Sequence, residues 1–263
     1  MLTNDNYFSP ENNMKYMGSS QFSSFLRCEA AAMADLDGTY PRRVTDALLI
    51  GSYVDAYYEG TLAKFKSEHP EIFTQRGELK TQYKHADEII ERAERDEMFK
   101  RYMSGDKQVI FTGEISGVPY KVKVDSYHEG KCIVDLKCIR DFNTIWDDKS
   151  KTRRNFIEHW GYLRQAAIYQ EIVRQNTGKK LPFYIAAVTK ETEPDLGIIY
   201  IPDEYLVEPL EQVKELSPRF NMIKHGEIEP ERCGCCDFCK HSKKLTEPIN
   251  YADMTISEVY DVQ

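Results

Sequence analysis

The stretch that most constrains this chain runs from Phe111 to Arg140, where two strand-like runs flank a short turn. From Tyr120 to Tyr127, Val122 and Val124 alternate with Lys121, Lys123 and Asp125, the period-two pattern of a half-buried strand. Glu129 and Gly130 supply the turn, and Lys131 to Lys137 carries Cys132, Ile133 and Val134 into Asp135-Leu136-Lys137. Side chains alternate across a strand, so Asp135 and Lys137 share one face and Leu136 takes the other. If Asp125 lies on that same face, two carboxylates and an ammonium crowd together. A divalent cation between the carboxylates relieves their repulsion, and a lysine beside it can orient or deprotonate a water. The plain alternative is a solvated hairpin face with a Lys-Asp pair.

With 263 residues, 30% of them charged and 41% hydrophobic, the chain can bury a large core as one globular domain. A net charge of -8 argues against holding nucleic acid by overall attraction, so such contact needs a local basic patch. Asp147 to Arg154, DDKSKTRR, is the candidate, either a solvated loop or one that contacts phosphates. The opening MLTNDNYFSP is polar and no run approaches a membrane span, so no membrane partner and a cytoplasmic location are expected. In that compartment the seven cysteines are thiols or metal ligands rather than disulfides.

The organisation expected is a flexible segment over 1–18, one domain over 19–245 and a tail over 246–263. A helix starts at Ser19 with Phe22, Phe25 and Leu26 on one side and leads to Cys28. A second covers Thr45 to Glu59, placing Asp55 and Glu59 on one face, as a solvated acidic edge or a contribution to a metal pocket. Thr61 to Gly77 reads as irregular, and Lys84 to Tyr102 as one charged helix with Ile89, Ile90, Ala93 and Met98 inward. Glu114 stands near the start of the hairpin. Phe156 to Asn176 is a helix with Trp160, Leu163, Ala167 and Ile168 on its apolar side, and with Gln165 and Tyr169 one turn apart. Pro182 to Val188 reads as a buried central strand, Leu196 to Ile201 as its neighbour and Pro202 to Phe220 as a last helix. The order points to a mixed α/β sandwich with the hairpin at its centre.

Near the end stands Arg232-Cys233-Gly234-Cys235-Cys236-Asp237-Phe238-Cys239-Lys240, four thiols within seven residues. Cys233, Cys236 and Cys239 are spaced C-x2-C-x2-C, which lets several sulfurs converge on one ion or cluster. A fourth ligand is needed, and Cys28 is the distant candidate. Zinc (Zn2+) would take four thiolates, or three with His241; an iron–sulfur cluster would take Cys28, Cys233, Cys236 and Cys239, and the position of Cys28 favours the cluster. Metal-free reduced cysteines are the third reading.

Taken in order, these motifs resemble the PD-(D/E)xK nucleases, and within them the RecB-like and RecE-like exonucleases of phages and bacterial recombination. SSQFSSFLRCEAA resembles the N-terminal helix bearing a cluster cysteine, LLIGSYVDAYYEG the helix that often carries a metal-binding histidine, and Asp125 the first catalytic carboxylate. Asp135-Leu136-Lys137 resembles the D/E-x-K, Gln165 and Tyr169 the Q-x-x-x-Y helix, and the late cysteines those of iron–sulfur members; the likeness spans about Ser19 to Lys244. Asp55 stands where many members have the histidine, and Val124 where the family name has proline.

The resemblance implies a restriction-endonuclease-like α/β fold, a mixed central sheet flanked by helices. It also implies a metal-dependent exonuclease acting on linear double-stranded DNA in phage or prophage recombination. Asp125 and Asp135 would hold one or two magnesium (Mg2+) or manganese (Mn2+) ions, with the Leu136 carbonyl and Asp55 or Glu114 completing the shell. Lys137 would orient the water, and Gln165 and Tyr169 would position the strand. A single-strand annealing protein is the implied partner and a homo-oligomeric ring a plausible assembly. The competing reading is a non-catalytic DNA-binding or zinc-ribbon-like interaction protein that keeps the fold.

Overall fold

In the computed structural model the described residues are 2–41, 43–148, 150–248 and 250–251. The helices are α1 (Pro10–Lys15), α2 (Ser19–Arg27), α3 (Glu29–Leu36), α4 (Asp46–Glu59), α5 (Leu62–Glu68), α6 (His85–Glu94), α7 (Glu97–Tyr102), α8 (Phe156–Trp160), α9 (Tyr162–Thr177), α10 (Val207–Lys224) and α11 (Asp237–His241). The strands are β1 (Asp106–Ile115), β2 (Val118–His128), β3 (Cys132–Ile139), β4 (Ile145–Asp147), β5 (Thr152–Arg154), β6 (Phe183–Thr189) and β7 (Leu196–Ile201). Five of them form one mixed sheet of order β1-β2-β3-β6-β7. Only the β3–β6 pair is parallel. The crossover between those two strands carries the β4–β5 hairpin and then α8 and α9.

Alternation along the strands feeds two cores, one on each face. Tyr120, Val122, Val124, Ile133 and Ile185 join α2, α9 and α10, while Val134, Leu136, Ala186 and Val188 join α4, α6 and α7. On the first face Phe22 and Phe25 pack on Phe220 with ring centroids 5.1 and 5.3 Å away, and the buried Tyr120 hydroxyl meets Ser217 Oγ at 2.7 Å. Truncating such a buried phenylalanine costs about 3–5 kcal/mol. β6 is buried along nearly its whole length, as its continuous apolar sequence predicts.

Several boundaries differ from the sequence reading, each for a local reason. The run preceding the expected hairpin is itself a strand, β1, joined to β2 by a tight turn with positive φ at Ser116 and Gly117. Thr61 to Gly77 contains α5, whose Phe65 is buried against Tyr53. The single helix expected over Lys84 to Tyr102 breaks into α6 and α7 at Asp96, whose carboxylate accepts the Phe99 N–H at 2.8 Å as an N-cap. That break turns Phe99 inward and leaves Met98 exposed. The helix expected over Phe156 to Asn176 breaks at Gly161, which has φ +73°. That left-handed backbone favours glycine; the nearest atoms a Cβ would meet, from 2.2 Å, belong to the flexible guanidinium of Arg164, which can shift. Trp160, expected on the apolar side, is 55% exposed as a result.

The opening segment, expected to be loosely attached, is packed on the sheet. Met17 bridges to Tyr120, and the buried Lys121 donates its ammonium to the Tyr7 carbonyl and, at 2.8 Å, to Asn13 Oδ1. Lys224, also buried, donates to Tyr16 O and Gln21 Oε1, both at 2.9 Å. A buried ammonium without acceptors is costly, so these two lysines fasten the segment down. The expected tail over 246–263 lies mostly outside the described residues.

Candidate active site

β2 and β3 pair at Ser126 with Val134, Tyr127 with Ile133 and His128 with Cys132, and no further toward Asp125. In the gap so opened, Asp125 Oδ2 accepts the Leu136 N–H at 2.8 Å and Oδ1 accepts from Gln108 Nε2 at 3.2 Å. The carboxylate thus stands where the next ladder hydrogen bond would be. Asp135 is 3% exposed. Its Oδ1 accepts from Gln165 Nε2 at 2.7 Å, and its Oδ2 lies 2.5 Å from Lys137 Nζ, an ion pair without hydrogen-bond alignment. Lys137 also sits over the Tyr162 ring, 5.0 Å from its centroid. Gln165 reaches Asp135 because α9 restarts at Gly161 and points its first turns at β3.

Tyr169, one turn beyond, donates its hydroxyl to the Lys123 carbonyl at 3.2 Å, so it braces β2 rather than touching either carboxylate. Burial, then Tyr7 and the two aspartates, hold it well above the usual phenol range. Asp55 comes from α4, and burial followed by the charge of Asp125 pushes its carboxyl up to about 8, against the pull of Lys137. Burial likewise lifts Asp135 to about 6, with Asp125 adding and Lys137 opposing. Burial alone would favour loss of the Lys137 proton, but Asp135 and Asp125 outweigh it and hold the ammonium above its ordinary range. Glu59, on the same helix as Asp55, lies 3.7 Å from Lys123 Nζ.

Asp55, Asp125, Asp135, Lys137 and Gln165 therefore meet in one pocket. Glu114 does not. It is exposed at the far end of β1, opposite Pro119, while Asp125 lies beside Gln108, six residues back along the strand. At the rise of a strand that is about 20 Å. Counting from the motif gave Glu114 proximity in sequence, but the antiparallel register carries it away.

Residues absent from the sequence reading also line the site. Gln108 is buried with φ +53°, and its Oε1, on the amide that donates to Asp125, has no partner. Lys123 lies 5.0 Å from the Phe8 ring centroid and 5.5 Å from that of Tyr7, placing the opening segment at the pocket's edge. No periodicity marks these residues; only Lys121, buried, and Lys123, half-buried, on one face of β2 signal that something must cover them. The donor set suits a hard divalent cation. Asp55, Asp125 and Asp135 all act electrostatically on one ammonium, that of Lys137, and burial together with their mutual repulsion lifts the Asp55 and Asp135 carboxyls, as expected of oxygen ligands that no cation neutralises.

The second cluster joins the two ends of the fold. Cys28, at the α2–α3 junction, and Cys233, Cys236 and Cys239, at and before α11, place their sulfurs within 4.8 Å of one another. A metal ion could be held there. The Cys236 N–H points to Cys233 Sγ at 3.4 Å and the Cys239 N–H to Cys236 Sγ at 3.5 Å. Hydrogen bonds from the Cys235 and Cys236 backbone pull the Cys233 thiol down to about 6.

The DDKSKTRR run forms the β4–β5 hairpin, with Lys149 outside the described residues. Arg154 is neutralised by Asp147 at 2.9 Å, while Trp146, half exposed, and Arg153 occupy directly opposed positions. No helix among the described residues is long and apolar enough to cross a membrane.

The sequence matches the family described as the PDDEXK-like domain of unknown function (DUF3799) over residues 18–242. It is 49% identical to a protein of Eubacterium rectale, provisionally described as an exonuclease, whose crystal structure superposes with a TM-score of 0.91 over 97% of this chain and 98% of that one. The mixed sheet and its flanking helices are thus a restriction-endonuclease-like fold. No curated protein matches.

Proposed function

Because the chain belongs to the PDDEXK-like family and so to the PD-(D/E)xK nuclease superfamily, we propose that it is a divalent-metal-dependent exodeoxyribonuclease acting on linear double-stranded DNA, in phage or prophage recombination. The observation that carries this reading is the meeting of Asp125 and Asp135, from two strands that part between them, with the ammonium of Lys137. A catalytic ion, when bound, supplies Lewis-acid stabilisation of phosphate oxygens and a water acidic enough to attack at neutral pH. Asp125 and Asp135 would hold it, with Asp55 and the Leu136 carbonyl as further oxygen donors.

The remaining chemistry falls to the chain's own groups. With its ammonium paired to Asp135, Lys137 would act as a positive donor that orients the attacking water and opposes charge developing on the phosphate. Gln165 holds the Asp135 carboxylate in a single orientation through its 2.7 Å hydrogen bond. Tyr169 fixes the β2 backbone on which Asp125 is carried. The exposed Trp146 and Arg153 on the β4–β5 hairpin suit stacking and phosphate contact, which need no sequence preference.

The test is a cleavage assay with magnesium on linear duplex, single-stranded and covalently closed circular DNA. Shortening of linear duplex with the circle left intact is the expected result. Cutting of the circle overturns the exonuclease reading. No cleavage of any substrate overturns the catalytic one and leaves a DNA-binding or interaction module.

A further inference from the structure

The spacing of the four sulfurs discriminates between the metal centres that cysteines can hold. Cys28 Sγ and Cys239 Sγ are 3.6 Å apart, Cys233 Sγ and Cys239 Sγ 3.9 Å, and all four sulfurs fall within 4.8 Å of one another. A tetrahedral zinc with bonds of about 2.3 Å sets its sulfurs about 3.8 Å apart. In a 4Fe–4S cluster each cysteine sulfur binds a different iron, and in a 2Fe–2S cluster two sulfurs bind each of two irons, so in either case a metal–metal separation is added between several of the sulfurs. Six mutual distances as short as these leave no room for that, and the residues do not fit a cluster.

We infer that Cys28, Cys233, Cys236 and Cys239 hold one zinc ion in tetrahedral thiolate coordination, and that this ion clamps the end of the domain to its beginning. Among divalent ions zinc outcompetes ferrous iron for such a site. The fourth ligand is settled by position. His241 stacks against the Tyr40 ring with centroids 5.2 Å apart, and Cys235, exposed, stands outside the set although its sulfur is 3.7 Å from that of Cys233. The two N–H···S contacts within the C-x2-C-x2-C turn neutralise part of the thiolate charge that a four-sulfur site accumulates.

The backbone that presents Cys28 is already braced. Glu29 takes a bidentate pair from Arg219 at 2.7 and 2.8 Å and accepts the Glu231 N–H, while the Ala30 N–H donates to the Glu231 carbonyl. These contacts bring residue 231 to α3 but stop short of α11, a helix of one turn and a half. The apolar cluster beneath it has three buried side chains, Cys28, Ala30 and Cys239, with Ala31, Cys236 and Phe238 partly buried against them and Tyr40 packed on Phe238. So small a core does not hold a short helix by itself, whereas a metal bond does.

The inference is independent of the nuclease reading and is tested without activity. The full-length protein, purified anaerobically, is assayed for zinc, iron and acid-labile sulfide, and its visible spectrum is recorded. One zinc per chain in a colourless protein is expected. Iron with sulfide, a single iron, or no metal each overturns the inference. Cys235→Ser should keep the ion and Cys28→Ser should lose it. Should Cys28→Ser fail to fold, cobalt exchanged into the wild-type protein gives the second readout: the intense bands of tetrahedral thiolate cobalt support the site, and their absence overturns it.

Discussion

The two clusters of this molecule solve the same electrostatic problem in opposite ways. At the carboxylate pocket, Asp55, Asp125 and Asp135 arrive from α4, β2 and β3, so their repulsion is contained by the packing of the whole sheet. At the cysteine clamp, three of four ligands lie within seven residues, and local backbone N–H groups do most of the positioning. The difference teaches which site depends on which. A pocket assembled from the core survives loss of its ion, because the core remains; a clamp assembled from a turn does not, because the ion is its core.

The largest effect separates the two outright. Asp135→Ala or Lys137→Ala should reduce cleavage of linear duplex by at least about 10²–10³-fold, the scale seen when a pre-placed electrostatic group is removed. The far-ultraviolet circular dichroism spectrum and zinc content should stay at wild-type values. Wild-type cleavage rates in both variants would remove the pocket from the chemistry.

Next in size is the converse. Cys28→Ser should lower the melting temperature by roughly 6–10 °C, taking a lost stabilisation of about 3 kcal/mol in a chain of this length. Its cleavage rate below that temperature should stay within about threefold of wild type, since the pocket lies on other elements. A variant that melts normally but no longer cuts would reverse the comparison and make the clamp part of the active site.

The sequence exposed these two regions unequally, for physical reasons. Asp135, Leu136 and Lys137 were legible because strand alternation is local and puts the first and third on one face. The C-x2-C-x2-C turn was legible because its ligands are neighbours. For Asp55 helix spacing offered a metal pocket only as one of two alternatives, and likeness to other chains tied it to this pocket, because α4 meets β3 through tertiary packing alone. Glu114 was misplaced because adjacency in sequence says nothing about distance once a strand runs antiparallel. The breaks at Asp96 and Gly161 turned on a cap and a left-handed glycine inside otherwise helical patterns. Tyr7 and Phe8 had no signal of their own; they are called to the pocket's edge by Lys121 and Lys123, more than a hundred residues away.

A third, smaller effect should appear in the pH dependence of stability without added divalent metal. Asp55 and Asp135 have folded-state pKa values raised to about 8 and about 6, above those of the unfolded chain. Their protonated forms therefore support the fold fully below the unfolded-chain value of about 4, and that support is lost as pH rises from there, for Asp135 by about 6 and for Asp55 by about 8. Melting temperature should fall over that range, magnesium should restore it most at the alkaline end, and Asp55→Asn should flatten the upper part of the decline. A flat profile in the metal-free wild type would mean that the carboxylates are already compensated from within, and the contrast with the thiolate clamp would weaken.

The smallest effect tests how far the packing reaches in shaping the pocket. Gln108 holds a left-handed backbone that costs a non-glycine residue about 1 kcal/mol, and it uses that position to donate to Asp125. Loss of one hydrogen bond to a charged group is worth about 1.5 kcal/mol, or about tenfold in rate if it bears wholly on the transition state. Gln108→Ala should thus lower kcat about three- to tenfold with KM unchanged. Gln108→Gly removes the same amide but relaxes the backbone, so it should match the alanine variant in rate while melting higher. If both variants cut at the wild-type rate, Asp125 needs only the Leu136 N–H, and the strain at Gln108 belongs to the fold of β1 rather than to the pocket.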